Sequence, residues 1–590
     1  MATLSEALAI GLAHHRAGRL DWAEEVYRSI LRQEPEHAET LHLAGALAYE
    51  ARRYAEAVER IRRAIRVEPR VAQYHNSLGL ALMATGEFDA AAAACRRAIE
   101  LRPDYALAHN NLGLIRKRQG RLAEASACYR QALQLQPDYA EAHVNLAVAL
   151  EDEGQPLAAI ACYRQALQIK PDWSQVHSHL LHVMHFCEEF DSRQIFAEHR
   201  LWNRLHAAPL AGAIEPHEND RSPERRLRVG YVSPNFRLHP VGRFFLPLVE
   251  SHDHENHEIF CYASARAADA ITAQCRARAD VWRDVQGLSD AQLAERVRAD
   301  RIDILVDLTM HMEDSRLRLF ARKPAPVQVT YLAYCSTTGL DAIDYRLSDP
   351  YLDADDASQQ FYSEETIRLP ETYWCYRPVP GCPDVNRLPA LASGDVTFGC
   401  LNSFCKVTAP TLAAWCRLLA SVPQSRIVLH AAGGVGRDRV RRFAAEQGVS
   451  PERWTFVDAL PLEKYLEVYQ QIDVALDPFP YGGGTTTCDA LWMGVPVVSL
   501  AGQTAVGRGG LSILSNLGLP DLVAHDPQQY VQIAADLAGD LPRLAGLRAA
   551  LRSRMERSPL MDAPRFARNV EAAYRSMWRR WCGDQRPTRE

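Results

Sequence analysis

Proline stands at positions 35, 69, 103, 137 and 171, a fixed spacing of 34 residues that no single globular core would impose. The same period carries Gly11, Gly45, Gly79, Gly113 and Ala147, a second glycine set at Gly18, Gly86, Gly120 and Gly154, and a bulky set at Tyr27, Ile61, Cys95, Tyr129 and Tyr163. Self-similarity at this length marks a supersecondary unit that cannot bury its own apolar face and stacks on copies of itself. Each unit has two stretches of helical apolar periodicity around a glycine turn, as in HAETLHLAGALAYEARRYAEAVERIRRAIRVEP. The small residue of the Gly45 series lets the two helices approach closely. The proline stops the second helix, because its ring blocks continuation and it has no amide hydrogen to donate.

These positions resemble the tetratricopeptide repeat, with five units beginning near residues 4, 38, 72, 106 and 140 and filling residues 1–173. Such an array is expected to form an all-α superhelix with a concave groove. Asn111 and Asn145 share one repeat position, held by Leu43 and Ser77 in earlier units. Two readings stay open for them: hydrogen bonding to the backbone of an extended peptide, or ordinary polar positions. Residues 174–226 read as a helical linker or cap. His177, His179, His182 and His185 crowd it, and His182 and His185 share a helix face. A metal site is conceivable there, but without a cysteine or acidic partner the expectation is a packed or interfacial role.

Length, charge and cysteine usage narrow the remainder. A chain of 590 residues accommodates roughly three or four domains. A net charge of −6 with no long basic run argues against nucleic acid as a partner. The first residues lack a basic segment followed by a sustained apolar run, and no stretch is apolar enough to span a bilayer. No membrane association and a cytoplasmic location are expected. The fourteen cysteines form no CxxC pair, which reads as buried thiols in a reducing compartment, Cys400 and Cys405 included.

Beyond residue 226 the pattern changes to short apolar runs alternating with helical stretches. LRVGYVS, EIFCYA, RIDILVDLT and APVQVTYLAY form one series, and VTFGCL, RIVLHA, WTFVDA, DVALDPF and PVVSL form a second. Strands alternating with helices predict parallel sheets, hence two Rossmann-like α/β lobes at 227–383 and 384–590, with ligands beyond the strand ends. DPFPYGGGTTTCDALWMGVPVV places Gly483 and Gly484 before a helix, whose free N–H groups and dipole favour an anion. Thr485 and Thr486 are expected to cap that helix and to donate hydroxyls to a phosphate, and Asp489, one turn on, to accept from a sugar hydroxyl. It is not a GxxxxGK[ST] loop. Lys406 follows strand VTFGCL and can neutralise a diphosphate as its bond to a sugar breaks. His239 follows LRVGYVS, where an imidazole can deprotonate or orient an acceptor hydroxyl. His311 lies past another strand end as a candidate sugar contact. Each residue taken alone has an ordinary structural reading; their joint placement past strand ends favours function. Asp353, Asp355 and Asp356 read as a surface loop.

Four motifs in order, GYVSPNFRLHPVGRF, KPAPVQVTYLAYCSTTG, LNSFCKVTAPTLAAW and GGGTTTCDALWMGVPVVSLAG, behind tetratricopeptide repeats, resemble the O-linked N-acetylglucosamine transferases. The resemblance implies a GT-B pair of lobes, UDP-GlcNAc as donor, a protein serine or threonine as acceptor, inversion at the anomeric carbon, and no cofactor or metal. By position it implies that Lys406, Thr485 and Thr486 hold the diphosphate beside Asn402 and Ser403. It further places Asp489 on the ribose, Tyr465 near the nucleotide and the backbone at Leu460 on the uracil edge, with His239 as the histidine proposed as catalytic in the family. Gly484 departs from the histidine of animal members, Ser403 and Cys405 replace larger side chains, and the long insert between the lobes is absent. The expectation is a protein O-GlcNAc transferase whose repeat groove presents the acceptor polypeptide. The alternatives are a protein O-fucosyltransferase using GDP-fucose and a peptide-binding scaffold with inactive lobes.

Overall fold

In the computed structural model of the protein, which describes residues 3–265 and 267–583, the helices from Leu4 to Ile169 alternate between 13 and 14 residues. The chain divides into two compact units. The first comprises the residues through Glu153 with Ala161–Lys170 and Gly433–Val435; the second holds the rest.

In the first unit the periodic positions explain one another. A Cβ added at Gly11 would lie 2.7 Å from the Tyr27 ring, and one at Gly45 would lie 2.6 Å from Ile61 Cγ1, so the glycine and bulky series are contact partners across each helix pair. The turn glycines adopt positive φ, from +70° at Gly18 to +85° at Gly86, and Arg52 takes the same position in the second repeat at +59°. The two asparagines are engaged within the array itself. Asn111 is buried and its amide donates to Asn76 Oδ1 at 2.9 Å, while the Asn145 amide donates to Asn110 Oδ1 at 2.9 Å. His42 and Ser77 make the equivalent bond one repeat earlier, at 2.8 Å. These side chains staple consecutive repeats, since a buried amide must find a partner and the next helix supplies it.

The second unit contains the cap helices Ser174–Met184 and Ser192–Trp202, the latter started by an Asp191 capping box. His177 bonds to Glu198 at 3.0 Å and His206 at 3.1 Å, and His185 is buried against His199 and Tyr334. Among the described residues no His, Cys, Asp or Glu side chains group as three or more metal ligands.

Two all-parallel sheets follow. The first contains β1 (Leu227–Ser233), β2 (His257–Ala263), β3 (Val281–Asp284), β4 (Ile304–Asp307), β5 (Val327–Thr330), β6 (Tyr345–Ser348) and β7 (Glu365–Arg368), in spatial order β3-β2-β1-β4-β5-β6-β7. The second contains β8 (Val396–Cys400), β9 (Ser425–His430), β10 (Trp454–Val457), β11 (Val474–Leu476), β12 (Val497–Leu500) and β13 (Val523–Ala524), in order β10-β9-β8-β11-β12-β13. Each order reverses once, between β1 and β4 and between β8 and β11, and these are the points where open parallel sheets bind ligands. The last helix, Ala563–Gly583, leaves the second lobe and packs on the first. Glu571 binds His252 at 2.8 Å and the Asp253 amide at 2.8 Å. Asp353 is buried on Arg346 at 2.8 Å, which corrects its assignment to a surface loop; Asp355 and Asp356 are exposed. Among the described residues no helix is long and apolar enough to cross a membrane.

Candidate active site

Four loops leave the carboxyl ends of the switch-point strands β1, β4, β8 and β11. With the segments after β5, β7 and β12 they line a cavity of about 280 Å³ between the two lobes, near the lower end of ligand pockets. His239, Asn402, Ser403, Lys406, Gly483, Gly484, Thr485 and Thr486 all line it.

On the second-lobe side, β11 ends in Asp477, whose buried carboxylate accepts from Thr487 Oγ1 at 3.0 Å. The chain then runs through Tyr481 into the glycine turn and the helix Thr485–Trp492. A Cβ at Gly483 would come within 2.6 Å of Thr486 Oγ1 and 2.8 Å of Asp477 Oδ1, so only glycine permits this close turn. The helix is capped by Gly484, with no side-chain cap bond. This corrects the expectation for Thr485 and Thr486: both lie inside the first turn, and its N–H groups stay open to an anion. The Thr486 hydroxyl donates to Asn402 Oδ1 at 2.8 Å, which ties the β8 loop to the helix start.

Lys406 closes a short 3-10 turn after β8. Its half-buried ammonium donates to Gly482 O at 2.9 Å and lies 4.0 Å from the centroid of the Tyr481 ring. Burial lowers its pKa from the usual lysine value. Across the cavity His239 is the N-cap of the helix Pro240–Ser251, and its Nδ1 accepts from the Val241 amide at 3.2 Å. Burial, with Arg237 adding to it, depresses the imidazole to about 4. The ring is therefore neutral at pH 7, and with Nδ1 accepting, its proton sits on Nε2.

The cavity wall carries backbone strain. Leu332, which lines it, has φ +79°, and Met310 has φ +47°; each such non-glycine position costs on the order of 1–3 kcal/mol. Asp307, at the end of β4, holds Met310 by accepting its amide at 2.9 Å and the Thr330 hydroxyl at 3.0 Å.

Four predicted site residues stand apart from the cavity. His311 is fully buried, with Nε2 on Thr338 O at 2.8 Å and Nδ1 on Ser178 Oγ at 3.0 Å, so both ring nitrogens are spent on packing and no sugar contact remains. Asp489 is likewise corrected. Its carboxylate is buried and takes both Arg243 guanidinium nitrogens, at 3.0 and 2.6 Å, and the Tyr376 hydroxyl at 2.7 Å, which joins the two lobes. Tyr465 supports that pair, its hydroxyl lying 3.4 Å from Asp489 and 2.8 Å from Tyr469. Leu460 is exposed in the loop before the helix Leu462–Val468. Sequence reasoning missed Tyr481, Trp374 and Tyr334 on the cavity wall and Arg243 behind it. An aromatic immediately before a glycine-rich turn was the one visible signal, at Tyr481.

Comparison with known proteins agrees with this geometry. The chain matches glycosyl transferase family 41 over residues 170–376 and 386–570, and tetratricopeptide repeat families over 42–106, 115–154 and 140–173. It is 38% identical over 417 residues to a tomato (Solanum lycopersicum) protein named probable UDP-N-acetylglucosamine–peptide N-acetylglucosaminyltransferase SPINDLY, covering 69% of this chain and 44% of that one. An Arabidopsis thaliana protein named as the probable transferase SEC is 32% identical over 62% of this chain and 38% of its own length. The chain thus spans less than half the length of these relatives. Among solved structures it is similar to an O-GlcNAc transferase mutant of Thermobaculum terrenum, with a TM-score of 0.79 and 38% identity, covering 87% of this chain and 98% of the other.

Proposed function

The chain belongs to glycosyl transferase family 41, and from that premise we propose that it transfers N-acetylglucosamine from UDP-GlcNAc to serine or threonine hydroxyls of a polypeptide held by the repeat array. The names of the tomato and Thermobaculum proteins support the donor and the reaction. The observation that carries the reading is the convergence of the Lys406 ammonium, a helix start without a side-chain cap bond and a neutral imidazole on one cavity.

The chemistry follows from those three groups. The acceptor oxygen attacks the anomeric carbon from the face opposite the diphosphate, and the carbon–oxygen bond to the β-phosphate breaks with both electrons leaving on UDP. Lys406 and the N–H groups at Thr485 and Thr486 meet the charge that grows on that oxygen, a preorganised arrangement that contributes several kcal/mol in water-excluded sites. The hydroxyl proton passes in the same step to a phosphate oxygen of the departing UDP, and from there to solvent. His239, presenting Nε2–H, orients the acceptor oxygen and does not take its proton. A reducing, cytoplasmic setting belongs to the same reading, supported by the fourteen cysteines standing as free thiols.

Calorimetric titration with UDP-GlcNAc, UDP-glucose and GDP-fucose tests this. UDP-sugar binding that Lys406→Ala weakens by about 100-fold or more is expected, as for loss of a charged hydrogen bond in a buried site. Preferential binding of GDP-fucose would replace the donor. Binding of peptide with no nucleotide sugar would reduce the lobes to a scaffold.

A further inference from the structure

The five lysines of this chain are not held alike. Lys117, Lys170, Lys323 and Lys464 each form an ion pair with a carboxylate, on Asp152, Glu141, Asp344 and Glu467. Lys406 has no such partner among the described residues, although it is the lysine that lines the cavity. What it has is the Tyr481 ring, 4.0 Å from its Nζ to the centroid, and the Gly482 carbonyl at 2.9 Å. The ring is wedged in turn against Phe186, with centroids 5.2 Å apart, and edge-on against His182 at 6.3 Å. It is therefore fixed from the cap helix as well as from its own loop.

A carboxylate at this place would also stabilise the ammonium, but it would compete with a phosphate for it and repel the phosphate itself. A ring face attracts a cation through its quadrupole and carries no net charge to repel an anion. One of three ammonium N–H groups goes to Gly482, which leaves two for ligand oxygens. We propose that Tyr481 is a positioning residue, whose aromatic face holds Lys406 charged and aimed into the cavity so that the first anion the ammonium meets is the diphosphate of the donor. This rests on the reading of Lys406 as a diphosphate ligand, and it adds the residue that prepares it. Burial alone would favour the neutral amine; Cys405, the buried Asp477 carboxylate behind the glycine turn and Cys400 oppose that depression without pairing with the ammonium, and the ring face adds to them.

Reductive methylation with ¹³C labels all five lysines while keeping their charge, and the Lys406 resonance is identified by its absence in Lys406→Ala. An ammonium over a ring face is shifted upfield by the ring current. Tyr481→Phe keeps that face and is expected to keep the shifted resonance, its titration midpoint and UDP affinity within about twofold. Tyr481→Leu and Tyr481→Met lose the shift, lower the midpoint and weaken UDP by roughly tenfold, the size expected for a desolvated cation–π contact. Thermal midpoints equal to that of the parent protein exclude misfolding as the cause. An unshifted Lys406 resonance in the parent protein, or a shift and midpoint that survive in folded Tyr481→Leu, overturns the proposal. If the resonance behaves as expected but the parent protein binds no UDP, the role of Tyr481 stands and the nucleotide-sugar reading fails.

Discussion

His239 shows how much one hydrogen bond decides about a residue. An imidazole past a strand end reads from sequence as a base or an orienting group, and the bond from the Val241 amide to Nδ1, which places the proton on Nε2, is what supports the orienting role proposed for it. Asparagine can reproduce both features, since its Oδ1 caps a helix and its amide donates. His239→Asn is therefore expected to retain transfer within about 10–100-fold of the parent rate, whereas loss of a general base costs up to about 10⁴-fold. His239→Ala, lacking cap and donor, is expected to fall well below the asparagine variant. Equal and complete loss in both variants would return the base role to His239. Asp489 and His311 carry the opposite lesson. Their residue types and positions past strands were legible, but their partners were not: Arg243 is 246 residues away from Asp489, and Ser178 is 133 residues from His311. A carboxylate or imidazole takes its role from whatever the fold packs against it.

Among the elements, the repeat helices were the most legible, because two independent periodic series, one small and one bulky, describe the same contact from both sides. That contact predicts a cost. Gly45→Ala puts a methyl group 2.6 Å from Ile61 Cγ1, and overpacking of this kind costs about 1–3 kcal/mol. Ile61→Ala in the same chain should recover part of it, so the two substitutions are non-additive in denaturant unfolding; additive losses would mean that the helices are not in contact as described. Strands β1 and β8 were read directly because both are largely apolar and, apart from Arg228, buried on both faces. Strands β3, β6 and β7 were not. VWRD, YRLS and ETIR are only four residues long and bear charges, as edge-proximal strands do. Helix Ala563–Gly583 was legible as a helix, but its return to the first lobe depends on contacts with His252 and Asp253 that no local pattern carries.

At the scale of the molecule, the cap and first lobe meet through buried and half-buried histidines kept neutral by desolvation. His182 is depressed to about 3, His199 to about 4, and His185 well below its ordinary value. Their folded values lie below the unfolded value of about 6.5, so as pH falls below about 6.5 the unfolded chain takes up protons that the folded chain refuses. The stability these groups contribute is present above that pH and is lost progressively below it, down to about pH 4 for His199 and about pH 3 for His182. Both ring nitrogens of His185 are buried without a hydrogen-bond partner, so leucine removes a polar group from an apolar site as well as a proton acceptor from the unfolded chain. His185→Leu is expected to make the acid-side loss of unfolding free energy shallower by up to about 1.4 kcal/mol per pH unit. Parallel stability–pH curves for the two proteins would contradict this. The cavity where the loops after β1, β4, β8 and β11 meet is probed by incubating the protein with UDP-GlcNAc and a serine/threonine-rich polypeptide library and measuring intact masses. The mass increment of N-acetylhexosamine on serine or threonine is expected, with release of UDP, and neither with Lys406→Ala. An unmodified library in the presence of a folded protein that binds UDP-GlcNAc, or the same increment from Lys406→Ala, would contradict the proposed transfer.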